Sequence, residues 1–358
     1  MTGTVYSDQL QFMTSPVSAC KATDIRTTTA VTGPVVFGVN AAKGLVYALD
    51  SKNNIQFINA STLNVDASVT TGARYPAVAY DDKRGMVYYA TGMDGKVLAV
   101  DAVTGKQTLS GKVAINGKST PLLAVDRVTG FLYVADRVDP RVFKLNPGNL
   151  STVGTAKLPV LPRQIEVNSV DGKLYVGYSS PESNQYLGVL SSSFELGMIK
   201  DVPGLADMTF NAATDQLFIT NGGEDMVVDG KTDAITLRAR TGIVAQQVLY
   251  ANASKMIYNA MSTNSFWVVT LGTSPVGAVS VNPGGAITVM DLYATDNMVY
   301  ALTNAPSQFV AIDAQDNSIS SKTPLTGPPS DSMVINQTNG QVFLGSYAGN
   351  KVTSITCK

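Results

Sequence analysis

Apolar residues in this chain come in short runs separated by turns rich in Asp, Asn, Lys and Gly, and no segment keeps a helical period. One run recurs eight times, as Leu45-Val46-Tyr47-Ala48-Leu49, Met86-Val87-Tyr88-Tyr89, Phe131-Leu132-Tyr133-Val134, Lys173-Leu174-Tyr175-Val176, Gln216-Leu217-Phe218-Ile219, Met256-Ile257-Tyr258, Met298-Val299-Tyr300-Ala301-Leu302 and Gln341-Val342-Phe343-Leu344. Its aromatic positions are 41, 45, 42, 43, 40, 42 and 43 residues apart, a spacing that marks an array of one supersecondary unit. Each copy is preceded by a strand such as Val78-Ala79-Tyr80 and a turn such as Asp81-Asp82-Lys83-Arg84-Gly85, which together read as a hairpin. A third strand follows, as in Val97-Leu98-Ala99-Val100-Asp101. A turn such as Ala102-Val103-Thr104-Gly105-Lys106 then leads to a weaker, Ser/Thr-rich fourth strand. Four antiparallel strands per repeat of about 42 residues form the unit of a propeller blade. The pattern predicts an all-β chain folded as a single eight-bladed β-propeller of four-stranded antiparallel blades.

Segments such as Leu132-Tyr133-Val134-Ala135-Asp136 followed by Val142-Phe143-Lys144-Leu145-Asn146 resemble the YVTN-type propeller repeats of surface-layer and lactonase-like proteins, over residues 33–358. The resemblance implies a propeller fold and carries no activity with it. The Asn that closes that family's strand motif stands here only at Asn221, and eight copies replace the usual seven.

Blades are expected to begin near residues 33, 73, 118, 160, 205, 243, 285 and 328, and the eighth ends after three strands. A ring tolerates no open edge. Residues 22–31, Thr-rich like an outer strand, are therefore expected to complete the last blade, leaving 1–19 as an N-terminal extension and 20–358 as the propeller. Cys357 ends the third strand of that blade and Cys20 begins the borrowed one, where other blades have a short turn. The expectation is a Cys20–Cys357 disulfide in place of that turn. It implies an extracellular or secreted protein whose signal peptide is not in this chain.

Composition narrows the chemistry. The 358 residues include no histidine, which excludes histidine-based triads, histidine-ligated metals and histidine-ligated haem. With 26 basic and 27 acidic residues and no long run of like charge, no nucleic-acid partner is expected. No apolar stretch approaches the roughly 18 residues of a membrane span, and a monomer is expected.

Candidate chemistry comes from the innermost strands. One face is uniformly large and apolar, as at Phe37, Val78, Leu123, Ile165, Met208 and Val248. The opposite face is small or apolar in blades one to three and polar from blade four onward, at Gln164, Glu166, Asp207, Gln247 and Asp291. Arg163, Gln246 and Asp331 at the entrance to these strands extend the set into an arc around one channel mouth. These eight residues either line a water-filled channel and satisfy strand ends or hold a small polar ligand, a glycan or a protein. Calcium on the carboxylates is a sub-case, since it takes oxygen ligands. The alternative is a histidine-free, calcium-assisted hydrolase or lactonase, or a lyase, using Glu166 or Asp207 as base. Two decoys read as turns: Gly111 to Ser119 imitates a phosphate-binding loop with the wrong glycine spacing, and Asp225, Asp229 and Asp233 imitate a calcium run.

Overall fold

The computed structural model describes residues 22–357 apart from 73–75, 116–118, 179–185, 203–204, 222, 241, 243–244, 262–264 and 272–276. The alternation of apolar runs and turns resolves into strands throughout. After β1 (Ala22–Thr28), blade 1 comprises β2 (Val35–Asn40), β3 (Leu45–Leu49), β4 (Ile55–Asn59) and β5 (Val65–Val69). Blade 2 comprises β6 (Pro76–Asp81), β7 (Met86–Thr91), β8 (Lys96–Asp101) and β9 (Gln107–Lys112). Blade 3 comprises β10 (Leu122–Val125), β11 (Leu132–Ala135), β12 (Arg141–Leu145) and β13 (Thr152–Lys157). Blade 4 comprises β14 (Pro162–Asn168), β15 (Lys173–Tyr178), β16 (Tyr186–Leu190) and β17 (Leu196–Lys200). Blade 5 comprises β18 (Leu205–Asn211), β19 (Gln216–Asn221), β20 (Glu224–Asp229) and β21 (Ile235–Arg240). Blade 6 comprises β22 (Ala245–Ala251), β23 (Met256–Met261), β24 (Phe266–Thr270) and β25 (Gly277–Val281). Blade 7 comprises β26 (Ala286–Tyr293), β27 (Met298–Asn304), β28 (Gln308–Asp313) and β29 (Ile319–Pro324). Blade 8 comprises β30 (Ser332–Ile335), β31 (Val342–Ser346) and β32 (Lys351–Cys357), with β1 as its outer strand.

The β1–β32 pairing is antiparallel, from Thr28 opposite Val352 to Ala22 opposite Cys357. The N-terminal strand therefore closes the ring as the open edge of the eighth blade requires. Cys20 lies outside the described residues. The register brings the chain two positions after it, at Ala22, face to face with Cys357.

The apolar interior is distributed. Among the described residues, buried side chains gather in eight clusters, each wedged between two neighbouring blades. This explains the aromatic of the repeat: Tyr47, Tyr88, Tyr133, Tyr175, Tyr258 and Tyr300 are all fully buried. Several hydroxyls reach into a turn of the next blade, where a buried phenol must find a partner. Tyr47 donates to the carbonyl of Ala102 at 2.6 Å and Tyr258 to Asn317 Oδ1 at 2.6 Å. Tyr175 donates toward Gly230 O at 3.4 Å and Asp233 Oδ1 at 3.2 Å. In blades 1, 2, 3, 5 and 7 the turns between third and fourth strands open on Asp or Asn, whose side chain accepts backbone N–H groups two or three residues on, as Asp101 does from Val103 and Thr104. Their fifth residue sits at positive φ, at Leu63, Gly105, Leu150, Asp233 and Asn317.

Candidate functional site in the central channel

The inner strands of seven blades wall a central cavity of about 1070 Å³, including Gly38, Ala79, Ala124, Glu166, Phe210 and Asp291. It extends toward the turns joining first and second strands, where Asp82, Arg127, Ser169 and Gln337 form the rim. This is the end of the inner strands opposite to the one where Arg163, Gln246 and Asp331 sit. The small residues of blades 1 to 3 make the space. A Cβ on Gly38 would come within 2.9 Å of the Tyr80 Cβ, so the neighbouring blade approaches as closely as only glycine permits.

The eight residues singled out from sequence fall into three groups. Glu166 and Asp291 line the cavity, and Glu166 Oε1 also accepts from Phe210 N of the next blade at 3.2 Å. Gln164, Asp207 and Gln247 instead clip one blade to the next. The inner strand of every blade presents an unpaired edge to its neighbour, and those backbone groups need partners. Gln164 donates from Nε2 to Met208 O at 2.8 Å and accepts from Met208 N at 3.2 Å. Asp207 accepts from Val248 N at 2.9 Å, and Gln247 donates to Thr288 O at 3.0 Å and accepts from Met290 N at 3.2 Å. The series continues through Thr288 Oγ1, donating to Ser330 O, and Ser332 Oγ, accepting from Val36 N. In blades 4 to 7 the register slips by one residue just before or at these positions, between Pro162 and Gln164, Leu205 and Asp207, Ala245 and Gln247, and Ile287 and Val289. A bulge there re-aims the following side chain toward the neighbouring edge. The third group stays at the strand entrance. Arg163 and Gln246 occupy bulge positions and are exposed, while Asp331 accepts the N–H of Tyr347 at 3.2 Å.

Two half-buried carboxyl groups set the electrostatics of the cavity. Burial pushes Glu166 up to about 7; Asp207 adds to the rise, while the N–H of Phe210 on Oε1 at 3.2 Å and the charge of Arg127 oppose it. Burial likewise pushes Asp291 up to about 6, against a hydrogen bond from Leu292 N at 2.8 Å. Among the described residues neither carboxyl has an ion-pair partner. Near neutral pH the pair presents both a proton donor and an acceptor to the cavity. Among the described residues no three His, Cys, Asp or Glu side chains gather to hold a metal.

Arg127 and Asp82 were not singled out from sequence, where both read as turn residues. The signal lay in their register: the residue after the Asp or Asn that opens the turn (Asp81, Asp126, Asn168, Asn211) is Asp82, Arg127, Ser169 and Ala212 in blades 2 to 5, and all four line the cavity. The calcium-like run also resolves. Asp229 accepts the N–H and hydroxyl of Thr232, Asp233 pairs with Lys173 at 3.2 Å, and Asp225 is buried between blades.

No family model matches the chain, and no curated protein matches it. Solved structures do. The chain is similar to Sqt1 from Saccharomyces cerevisiae, with a TM-score of 0.74 at 10% identity, over 95% of this chain and 100% of that one. It is similar to the Dos1 propeller, with a TM-score of 0.71 at 10% identity over 94% and 95% of the two chains. BamB from Moraxella catarrhalis gives 0.68 at 12% identity, over 94% and 99%. At such identities what is shared is the architecture, and the chain is a β-propeller.

Proposed function

We propose that the protein is an extracellular binding propeller, built of YVTN-like repeats, that holds a small polar ligand in its central cavity. The observation that supports this reading is the cavity itself, about 1070 Å³, with Glu166 and Asp291 on its wall and Arg127 at its rim. A concave site with a few convergent polar groups among apolar walls is what small-molecule binding requires. Two carboxyls held near neutrality accept from and donate to hydroxyls, which fits a sugar, a polyol or a hydroxy acid, with Arg127 available to a carboxylate end. A glycan or protein presenting such a group at the rim is the same reading at larger scale. The Cys20–Cys357 disulfide belongs to this proposal, since it accompanies an oxidising setting.

Thermal shift and calorimetry with a panel of sugars, polyols and hydroxy acids test it. A ligand at 100 times its dissociation constant adds about 2.7 kcal/mol of stability. The double variant Glu166→Gln/Asp291→Asn should lose that gain, and binding undisturbed by the variant overturns the cavity as the site.

A second reading is favoured by one observation: a carboxyl held at about 7 is matched to general-base work. A histidine-free hydrolase, lactonase or lyase using Glu166 would turn over a lactone or ester with an inflection near pH 7, and Glu166→Gln would abolish the turnover. Activity unchanged in that variant removes Glu166 as the base.

A further inference from the structure

The interface between blades 5 and 6 breaks the rule that the other interfaces keep. Two residues past the repeat aromatic, the second strand carries Leu, Ala or Gly in seven blades, and Thr220 in blade 5. Opposite that position the third strand carries Ile55, Val97, Val142, Phe266, Phe309 or Val352, and Asp225 in blade 5. One residue past the aromatic stands an apolar residue in seven blades, such as Ala48, Tyr89, Val134 or Ala301, and Asn259 in blade 6. The three exceptions meet. Thr220 and Asp225 are cross-strand partners, and Asn259 Nδ2 donates to Asp225 Oδ2 at 2.6 Å across the blade boundary. Each of the three is 1% exposed.

The cluster is not self-sufficient. Among the described residues Asn259 Oδ1 is buried with no hydrogen-bond partner, the Thr220 hydroxyl faces only the Asp225 carboxyl, and no Lys or Arg pairs with Asp225. The basic residues on the adjoining strand, Arg238 and Arg240, are both paired with Glu224, at 3.1 and 3.0 Å. A buried carboxylate without a counter-charge, beside an orphan amide oxygen, is a costly arrangement that the apolar residues at these positions in the other blades show to be unnecessary for folding.

We propose that Asp225, Thr220 and Asn259 form a buried site for a hard monovalent cation such as sodium, bridging blades 5 and 6. The donor chemistry is all oxygen, which selects hard cations. The charge count selects the valence: one carboxylate neutralises one positive charge, whereas a divalent ion would leave a net charge in the interior. Asp229 and Asp233, engaged in the turn and with Lys173, take no part.

The test is the melting temperature of the full chain in sodium, potassium, calcium and choline chlorides at equal ionic strength. A saturable rise of several degrees with sodium or potassium over choline is expected. The triple variant Thr220→Ala/Asp225→Val/Asn259→Ala, which gives this interface the residues of its neighbours, should fold and lose the rise. Sodium NMR line-broadening on the wild-type chain gives a readout independent of that variant. Identical melting in all four salts without line-broadening overturns the site. So does a rise that persists in the triple variant. Stabilisation by calcium alone overturns the monovalent assignment.

Discussion

Just below pH 7 Glu166 keeps a proton that a free glutamate would have lost, because its carboxyl is half-buried in the channel wall with one backbone N–H and, among the described residues, no ion-pair partner. Its folded pKa of about 7 lies above the ordinary 4.5, so the folded state is favoured by protonation. Its contribution is therefore most favourable below the unfolded pKa and is lost as pH rises from 4.5 to about 7. Relative to wild type, Glu166→Gln should gain on the order of 3 kcal/mol across that window. Denaturant midpoints between pH 4 and 8 measure this, and a difference that stays flat refutes the half-buried acid. Tyr175 illustrates a smaller residue effect. Tyr175→Phe keeps the ring and loses the hydroxyl contacts to Gly230 and Asp233, which should cost about 1 kcal/mol.

At the scale of the element, the inner strand does two jobs that sequence reading merged into one. Alternation put Gln164 and Glu166 on one face, and that much was legible from period two. Which of them lines the cavity was not legible, because it depends on the bulge at Arg163 and on the neighbouring strand edge, both set by packing. Gln247→Ala should cost about 1–3 kcal/mol by leaving Thr288 O and Met290 N without their partner. The adjacent Gln246→Ala, an exposed position, should stay within about 0.5 kcal/mol. Chemical denaturation of the two variants distinguishes a clip from a merely polar strand; equal losses would count against it.

For the whole molecule, closure is the cooperative event. β1 belongs to the first residues of the fold and pairs with its last strand, so removing residues 1–30 should expose the edge of β32 and yield an aggregating or unfolded chain. Size-exclusion chromatography and circular dichroism report this directly. If the Cys20–Cys357 crosslink forms as proposed, reduction should lower stability by up to roughly 5 kcal/mol, since the loop it closes is nearly the whole chain. Intact mass before and after alkylation, with and without reductant, shows whether two thiols are free.

The sequence by itself determined the repeat, the blade, the count of eight and the strand that closes the ring, because each rests on local periodicity and on the rule that edges must be paired. It also placed Gln164 and Glu166 on one face of their strand by period two. Only the tertiary structure decided what the polar side chains meet: Gln164, Asp207 and Gln247 the backbone of the next blade, Glu166 both that backbone and the cavity, Asp291 the cavity, and Asp225 and Asn259 one another across an interface. The reason is that a side chain's partner is fixed by distance across blades, some forty residues away along the chain, where no local pattern reaches.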